Sequence, residues 1–208
     1  MVPLLPMTRA LILANVGIFI VQWLSHGSNV GWFALWPWGS SLFRYWQVVT
    51  YAFLHDPNNL AHIFFNMFAL YMFGSEVERV LGTRRYLLYY FVCVIGAAVM
   101  QLLVTRFFMS GAIGPVVGAS GGVFGLLLAF GMFFPQRRIM LLLPPIPIRA
   151  WLFVTIYGLI ELGMGVFGTH QGVAHFAHLG GMLAGFLLLS FWRNQPRNSA
   201  EQEDANGW

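Results

Sequence analysis

The stretch that decides the fold is GASGG, residues 118–122, with Ser120 at its centre. Apolar blocks lie on both sides of it, at 106–117 and 123–134. Small residues allow transmembrane helices to pack closely, and they also leave room for a substrate backbone beside a nucleophilic serine. The five residues alone favour packing, so the rest of the chain has to decide between these two interpretations.

The composition places the chain in a membrane. Of its 208 residues, 58% are hydrophobic and 9% are charged, and the mean hydropathy is +0.70. Soluble domains carry about 25% charged residues, so this chain cannot build a water-solvated surface. We expect a single membrane domain over residues 1–193, followed by a polar cytoplasmic tail at 194–208. The single cysteine, Cys93, excludes an internal disulfide.

The predicted fold class is all-α, a polytopic bundle of six transmembrane helices. A spanning helix needs roughly 20 mostly apolar residues. The candidate spans are at about 8–25, 58–75, 86–106, 118–134, 148–168 and 174–192. With six spans, nine of the 11 arginines fall on the side of the N-terminus, and only Arg44 and Arg106 fall on the other. Because basic residues mark the cytoplasmic side, both termini are predicted to be cytoplasmic. The net charge of +4 then reflects topology rather than a nucleic-acid partner.

The connection between the first two predicted spans, residues 26–51, differs from the others in its aromatic content. It contains four tryptophans with two phenylalanines and two tyrosines, interrupted by glycine and proline. Clustered Trp and Tyr prefer the membrane interface. We therefore expect a structured element that lies in the outer leaflet. A plain aromatic belt without a further role is the alternative.

Polar side chains at depth in a bilayer are costly and usually face the bundle interior or a water-filled cavity. The candidates are His62, Asn66, Ser120, Glu161, His175 and His178. Five of them fall at the outer ends of the second, fourth and sixth spans, which run from outside to inside. Glu161 lies in a span of the opposite direction, so no acid is expected to complete a catalytic triad. His175 is expected to line a cavity.

Helix packing is predicted to bring Ser120 and His178 together, although they are 58 residues apart. Gly181 and Gly185 form a GxxxG stripe, which allows the backbones of neighbouring helices to come close. The opposing surface is expected from Gly121, Gly122 and Gly125. The same glycines would then allow the helices to pack closely and bring His178 to Ser120.

These residues supply the nucleophile, the base and the oxyanion donors of a serine-hydrolase site. A serine hydroxyl needs a base within hydrogen-bond reach, and imidazole is the usual choice. Attack on a carbonyl also needs donors for the developing oxyanion. The sequence predicts a Ser-His dyad, with His62 and Asn66 as the oxyanion donors and no cofactor or metal.

Three motifs in order resemble the rhomboid family of intramembrane serine proteases, and the resemblance covers about residues 8–192. HIFFN at 62–66 is similar to the family's HxxxN, GASG at 118–121 to its GxSG, and AHLGG at 177–181 to its AHxxG. The resemblance implies that Ser120 is the nucleophile and His178 its base. It also adds the backbone N–H of Ser120 to the oxyanion donors. One position departs, because the family's Trp-Arg pair reads Trp46-Gln47 here.

The expected function is therefore cleavage of transmembrane segments near the outer face of a bacterial inner (plasma) membrane. The expected partners are single-pass or polytopic membrane protein substrates and the lipid bilayer, with the oligomeric state open. One alternative is a catalytically inactive relative that binds transmembrane helices. Another is a small transporter or haem protein that uses His62, His175 and His178. Residues 118–122 also fit the GxSxG of α/β-hydrolases, but the alternating strands and helices of that fold are absent from the sequence pattern.

Overall fold

The computed structural model describes residues 3–27, 30–109, 114–141, 145–167 and 174–194. Helices dominate this part of the chain. They are α1 (Pro6–Leu24), α2 (Val30–Phe33), α3 (Gln47–Thr50), α4 (Leu60–Ala69), α5 (Ser75–Phe107), α6 (Ser120–Phe133), α7 (Ala150–Phe167) and α8 (His175–Arg193). A short 3-10 turn, Tyr51–Phe53, follows α3, and a π-helical turn, Leu70–Gly74, joins α4 to α5. The predicted tail beyond residue 194 lies outside the described residues.

Four helical stretches in the described ranges are long and apolar enough to cross a membrane. They are α1, the continuous stretch Leu60–Phe107, α7 and α8. The second of them is 48 residues long and breaks at Gly82, whose φ of 72° and ψ of 157° are not helical. The predicted all-helical membrane bundle is thus confirmed in its general form.

Two local features differ from the predictions. Helix α6 begins at Ser120 and has only 14 residues, about 21 Å at 1.5 Å per residue, whereas a span was expected over 118–134. After α6, two strands form where a loop was expected. Strands β1 (Arg138–Met140) and β2 (Pro147–Arg149) pair antiparallel, with Ile139 opposite Ile148.

The core lies where α5, α6 and α8 meet, and glycines make this contact possible. A Cβ on Gly181 of α8 would collide with the backbone oxygen of Gly121 in α6. A Cβ on Gly125 would lie 3.4 Å from the backbone oxygen of Gly181. The predicted close approach of the fourth and sixth spans is confirmed at these positions.

Four of the five predicted contact glycines also make room for α5, since a Cβ on Gly121 would meet Ala97 and one on Gly125 would meet Cys93. A Cβ on Gly122 would meet the ring of Tyr90, and one on Gly185 would meet the hydroxyl of Tyr89. Both tyrosines are fully buried in α5. The bulky partner of these glycines is therefore a third helix, which the GxxxG stripe did not reveal.

The start of α1 is held by Glu78 in α5. Its carboxylate accepts hydrogen bonds from the backbone N–H of Met7 at 3.1 Å and of Thr8 at 2.8 Å. It also accepts from the Thr8 hydroxyl at 2.8 Å. Helix N-termini present N–H groups without intrahelical partners and favour negative charge. We call this arrangement the α1 cap.

The aromatic connection between α1 and α4 is built around Gln47, which is fully buried. Its Oε1 accepts from the backbone N–H of Trp36 at 3.3 Å and of Arg44 at 3.1 Å. Its Nε2 donates to the backbone oxygens of Trp32 at 3.3 Å and of Leu42 at 3.0 Å. These hydrogen bonds order the part of the connection between residues 32 and 47, while an element in the outer leaflet remains a prediction.

Candidate active site

Ser120 is the first residue of α6, and the residue two positions before it is a glycine with a positive φ. Gly118 has a φ of 130°, a conformation that side chains with a Cβ rarely adopt. Its N–H donates to the backbone oxygen of Tyr51 at 3.0 Å. Two residues earlier, Val116 forms an isolated antiparallel β-bridge with Leu35 of the aromatic connection. Ser120 is half-buried, and the contacts of Gly118 and Val116 fix the backbone just before it.

The ring of His178 is held on three sides. Its Nε2 lies 2.8 Å from the Ser120 hydroxyl oxygen. Its face stacks on Phe124, one turn after Ser120 in α6, with the ring centroids 4.2 Å apart and an angle of 6°. The residue is 8% exposed. The structure therefore brings together the two residues that the sequence assigned to the dyad.

The third side of the ring is a carboxylate, which contradicts the expectation that no acid lies near His178. Glu161 Oε2 in α7 lies 2.8 Å from His178 Nδ1 and 2.7 Å from His175 Nδ1. Both histidines come from the first turn of α8, and α7 and α8 run antiparallel across the segment between them. His175 therefore contacts the acid rather than simply lining a cavity.

His62 lies on the other side of Ser120. A Cβ on Gly118 would be 2.8 Å from His62 Nε2 and 3.6 Å from the Ser120 hydroxyl oxygen, so the three groups are neighbours. His62 Nδ1 faces the backbone N–H of Asp56 at 3.5 Å. A neutral imidazole that accepts at Nδ1 carries its proton on Nε2. His62 thus presents an N–H toward the region of Ser120.

A second histidine supports His62 from outside the helix. His55 precedes α4, is fully buried, and its ring lies 5.1 Å from that of His62. Burial, together with the nearby His62 ring, lowers the pKa of His55 to about 3. His55 is therefore neutral at neutral pH and places no charge against His62.

The structure places Asn66 one turn after His62, on the same face of α4, and it is 6% exposed. Its Nδ2 donates to the backbone oxygen of His62 at 2.9 Å. This hydrogen bond runs along the helix rather than toward Ser120, so the role predicted for Asn66 stays a prediction.

One group of the described residues has the donor types of a metal site, namely Glu161, His175 and His178. Zinc would hold two such ligands at about 2.0 Å each, which puts them about 3.3 Å apart in a tetrahedron. Here both imidazole nitrogens lie within 2.8 Å of one carboxylate oxygen. That spacing fits hydrogen bonds better than a shared metal ion.

A hydroxyl, an imidazole and a carboxylate in series are the side-chain arrangement of serine hydrolases, here inside a bundle of apolar helices. The family model for the Rhomboid domain matches residues 42–194, so the chain belongs to the rhomboid family. The resemblance read from the three motifs is thereby confirmed.

Relatives agree with this assignment. The chain is 30% identical to rhomboid protein 1, mitochondrial, of Saccharomyces cerevisiae over 68% of its own length and 40% of that protein's. It is 28% identical to rhomboid protease GlpG of Yersinia pestis and of Yersinia pseudotuberculosis, over 94% of its own length and 64% of theirs. The chain thus spans less than two thirds of these relatives. The homology supports membership of a family of intramembrane proteases.

Sequence reasoning named Glu161 among the polar candidates but did not place it beside His178. The available signal was its distance from the connection between α7 and α8, because residues at similar distances from a helical hairpin's connection lie at similar depth. Glu161 is six residues before the end of α7, and His178 is three residues after the start of α8. Span direction alone concealed this proximity.

Proposed function

We propose that the protein is an intramembrane serine endopeptidase that cleaves transmembrane segments of membrane proteins near the outer face. The observation that carries the proposal is the 2.8 Å contact between Ser120 Oγ and His178 Nε2. A weak nucleophile gains reactivity only when a base is within such reach.

The reaction follows from this contact. His178 Nε2 takes the hydroxyl proton as Ser120 Oγ attacks the substrate carbonyl carbon, and the carbonyl oxygen becomes an oxyanion. His178 then returns the proton to the amide nitrogen, the C–N bond breaks, and an ester with Ser120 remains. Water, deprotonated by the same nitrogen, attacks the ester carbon; the bond to Ser120 Oγ breaks, the oxygen takes that proton back from His178, and the product carboxyl group ionises in water.

Donors for the oxyanion surround Ser120. Its own backbone N–H is at the start of α6, where helix geometry leaves the first N–H groups free to bind an anion. His62 Nε2 is on the adjoining side of the serine, next to Gly118. We assign Asn66 to the same role through its remaining amide hydrogen.

A six-span topology with both termini in the cytoplasm of a bacterial inner membrane fits the helices and the arginines. The break at Gly82 then separates the second span from the third, and α6 is the fourth. A hydrocarbon core is about 30 Å thick, and α6 covers about 21 Å of it. With the end of α6 at the inner boundary, Ser120 lies about 9 Å below the outer one, within reach of water entering from that side.

Substrates are expected to be single-pass or polytopic membrane proteins. A helix in lipid satisfies all its backbone hydrogen bonds internally, so its carbonyl groups are protected until the helix unwinds. Segments with helix-breaking residues near the outer face should therefore be cut best.

The test uses the full chain in detergent with a fluorogenic transmembrane substrate. The wild type should cleave it, and Ser120→Ala should not. A mechanism-based serine-hydrolase probe should label the wild type and leave Ser120→Ala unlabelled. Equal cleavage by both proteins would refute the proposal, and inactivity of the wild type toward any transmembrane substrate would favour the helix-binding alternative. A chelator should leave the rate unchanged, whereas loss of activity would indicate a metal on the histidines.

A further inference from the structure

A buried carboxylate lies behind the general base, and a two-residue mechanism leaves it unexplained. We propose that Glu161 is a positioning residue that turns the Ser120–His178 pair into a Ser–His–Glu triad, with His175 holding the carboxylate in place. This proposal rests on the proposed protease function and deepens it. The contacts that carry it are the 2.8 Å between Glu161 Oε2 and His178 Nδ1 and the 2.7 Å between the same oxygen and His175 Nδ1.

The first argument concerns the tautomer of His178. To take a proton from Ser120, Nε2 must present a lone pair, so the ring proton must be on Nδ1. A buried N–H needs an acceptor, and Glu161 Oε2 is that acceptor. With the carboxylate absent, the ring is free to carry its proton on Nε2, where it cannot act as a base.

The second argument concerns charge. When Ser120 attacks, His178 becomes an imidazolium inside a low-dielectric site. A carboxylate 2.8 Å from Nδ1 stabilises that cation. The proton on Nδ1 stays on His178 throughout, and Glu161 accepts a hydrogen bond from it without taking it, as in other triads.

The third argument concerns the carboxylate, which is 7% exposed. A buried ionised group is costly unless hydrogen bonds satisfy it. Oε2 accepts from two imidazole N–H groups, one from His178 and one from His175. Because a glutamate side chain has several rotatable bonds, the second donor restricts the oxygen to the position that His178 requires.

The helices explain why this residue belongs to the site rather than to the general core. The other buried residues described in α7, Ala150 and Val154, lie in its first two turns. The large side chains next to Glu161 are exposed, Leu159 by 63% and Leu162 by 46%. Gly158 and Gly165 let α8 come close on the same side, so at that level of α7 the buried side chain among the described residues is the carboxylate on the two histidines.

The decisive variant is Glu161→Leu, which keeps the volume and removes the acceptor. The change leaves the imidazole N–H groups of His178 and His175 without their acceptor, and a buried donor without an acceptor is destabilising. We expect the thermal midpoint in detergent to fall by several degrees, while kcat on the fluorogenic substrate, per folded molecule, falls about 100-fold or more with KM within twofold. Glu161→Gln presents an amide N–H that favours the wrong tautomer of His178, so it should lose kcat at least as strongly. Leu162→Ala, next to it on the exposed face, is the matched control and should keep the wild-type rate.

A purely structural role for Glu161 predicts another pattern, in which Glu161→Leu lowers the thermal midpoint but kcat per folded molecule stays unchanged. That outcome overturns the proposal. His175→Leu should show the same kcat loss on a smaller scale, about 3- to 10-fold, because the carboxylate keeps its main partner.

A second measurement needs no catalysis and therefore separates this proposal from the proposed function. Histidine 15N resonances are recorded on Ser120→Ala, and the His178 signals are assigned by their loss in His178→Gln. We expect the Nδ1–H tautomer when Glu161 is present and a shift toward Nε2–H in Glu161→Leu. An Nε2–H tautomer with Glu161 present overturns the positioning role, whatever the activity of the wild type. Inactive wild type with the expected tautomers refutes the protease and leaves the contact itself established.

Discussion

Two buried glutamates, Glu78 and Glu161, differ in what they hold. Glu78 is 2% exposed and accepts hydrogen bonds from backbone N–H groups and a hydroxyl in the α1 cap. Glu161 is 7% exposed and accepts from two imidazoles. A backbone amide keeps its proton at any ordinary pH, whereas an imidazole exchanges its proton near neutrality. The comparison shows that burial and charge alone do not separate a structural carboxylate from one beside the chemistry, but the identity of its donors does.

The largest expected effect comes from removing the imidazole next to Glu161. We expect His178→Ala to lower kcat at least about 10⁴-fold, since removing the base of such a unit costs about as much as removing all of it. The thermal midpoint should change by only a few degrees. Cleavage of the fluorogenic substrate and a thermal melt in detergent measure both. A variant that retains more than about a hundredth of the rate would contradict the role of His178.

The contribution of the α1 cap to stability is tested with Glu78→Ala. The change leaves the N–H groups of Met7 and Thr8 without their acceptor, at about 1–3 kcal/mol each. We expect a marked drop in the thermal midpoint, and kcat per folded, probe-labelled molecule should stay near that of the wild type. Glu76→Ala is the matched control, because Glu76 pairs with the exposed Arg137, and such pairs contribute about 0–1 kcal/mol. Equal destabilisation by both changes would count against the α1 cap.

A helix contact that serves both regions is tested with Gly181→Ala. The added Cβ collides with the backbone oxygen of Gly121, so α6 and α8 must separate, at about 1–3 kcal/mol for overpacking. Because Ser120 and His178 lie on those two helices, stability and kcat should fall together. Gly163→Ala is the control, since a Cβ there meets nothing within 4 Å and alanine favours a helix by about 1 kcal/mol. A fall in stability with an unchanged rate would mean that the helices separate away from the site.

The smallest expected effect comes from the ring under the imidazole. Phe124→Leu removes the stacking on His178, which is worth about 0.5–1.5 kcal/mol, so kcat should fall by about tenfold or less. Phe153→Leu removes a comparable stack further from His178, on Tyr157 at 5.4 Å between ring centroids, and Tyr157 in turn stacks on Phe124. It should lower kcat by less than Phe124→Leu does. Equal losses in the two variants would show that the effect belongs to the packing of α7.

The sequence predicted the parts of the site that local patterns carry. HIFFN, GASG and AHLGG placed His62, Ser120 and His178 in order, and glycines pointed to the contact between α6 and α8. Helix α6 begins at Ser120, two residues after the start of the expected span. Glu161 was recognised as a polar candidate but not placed beside His178, because the direction of its span was weighed and its distance from the connection to α8 was not.

Gln47 is the neutral side chain around which the aromatic connection is hydrogen-bonded. Its amide accepts from two backbone N–H groups and donates to two backbone oxygens, a division that a guanidinium cannot reproduce because it has no acceptor. Restoring the family's arginine here would therefore leave the amide hydrogens of Trp36 and Arg44 without that partner. The hub has no ionic attraction to screen and no proton to lose, so salt and pH should leave the connection in place. The described part of the connection is therefore fastened by neutral hydrogen bonds alone at this side chain.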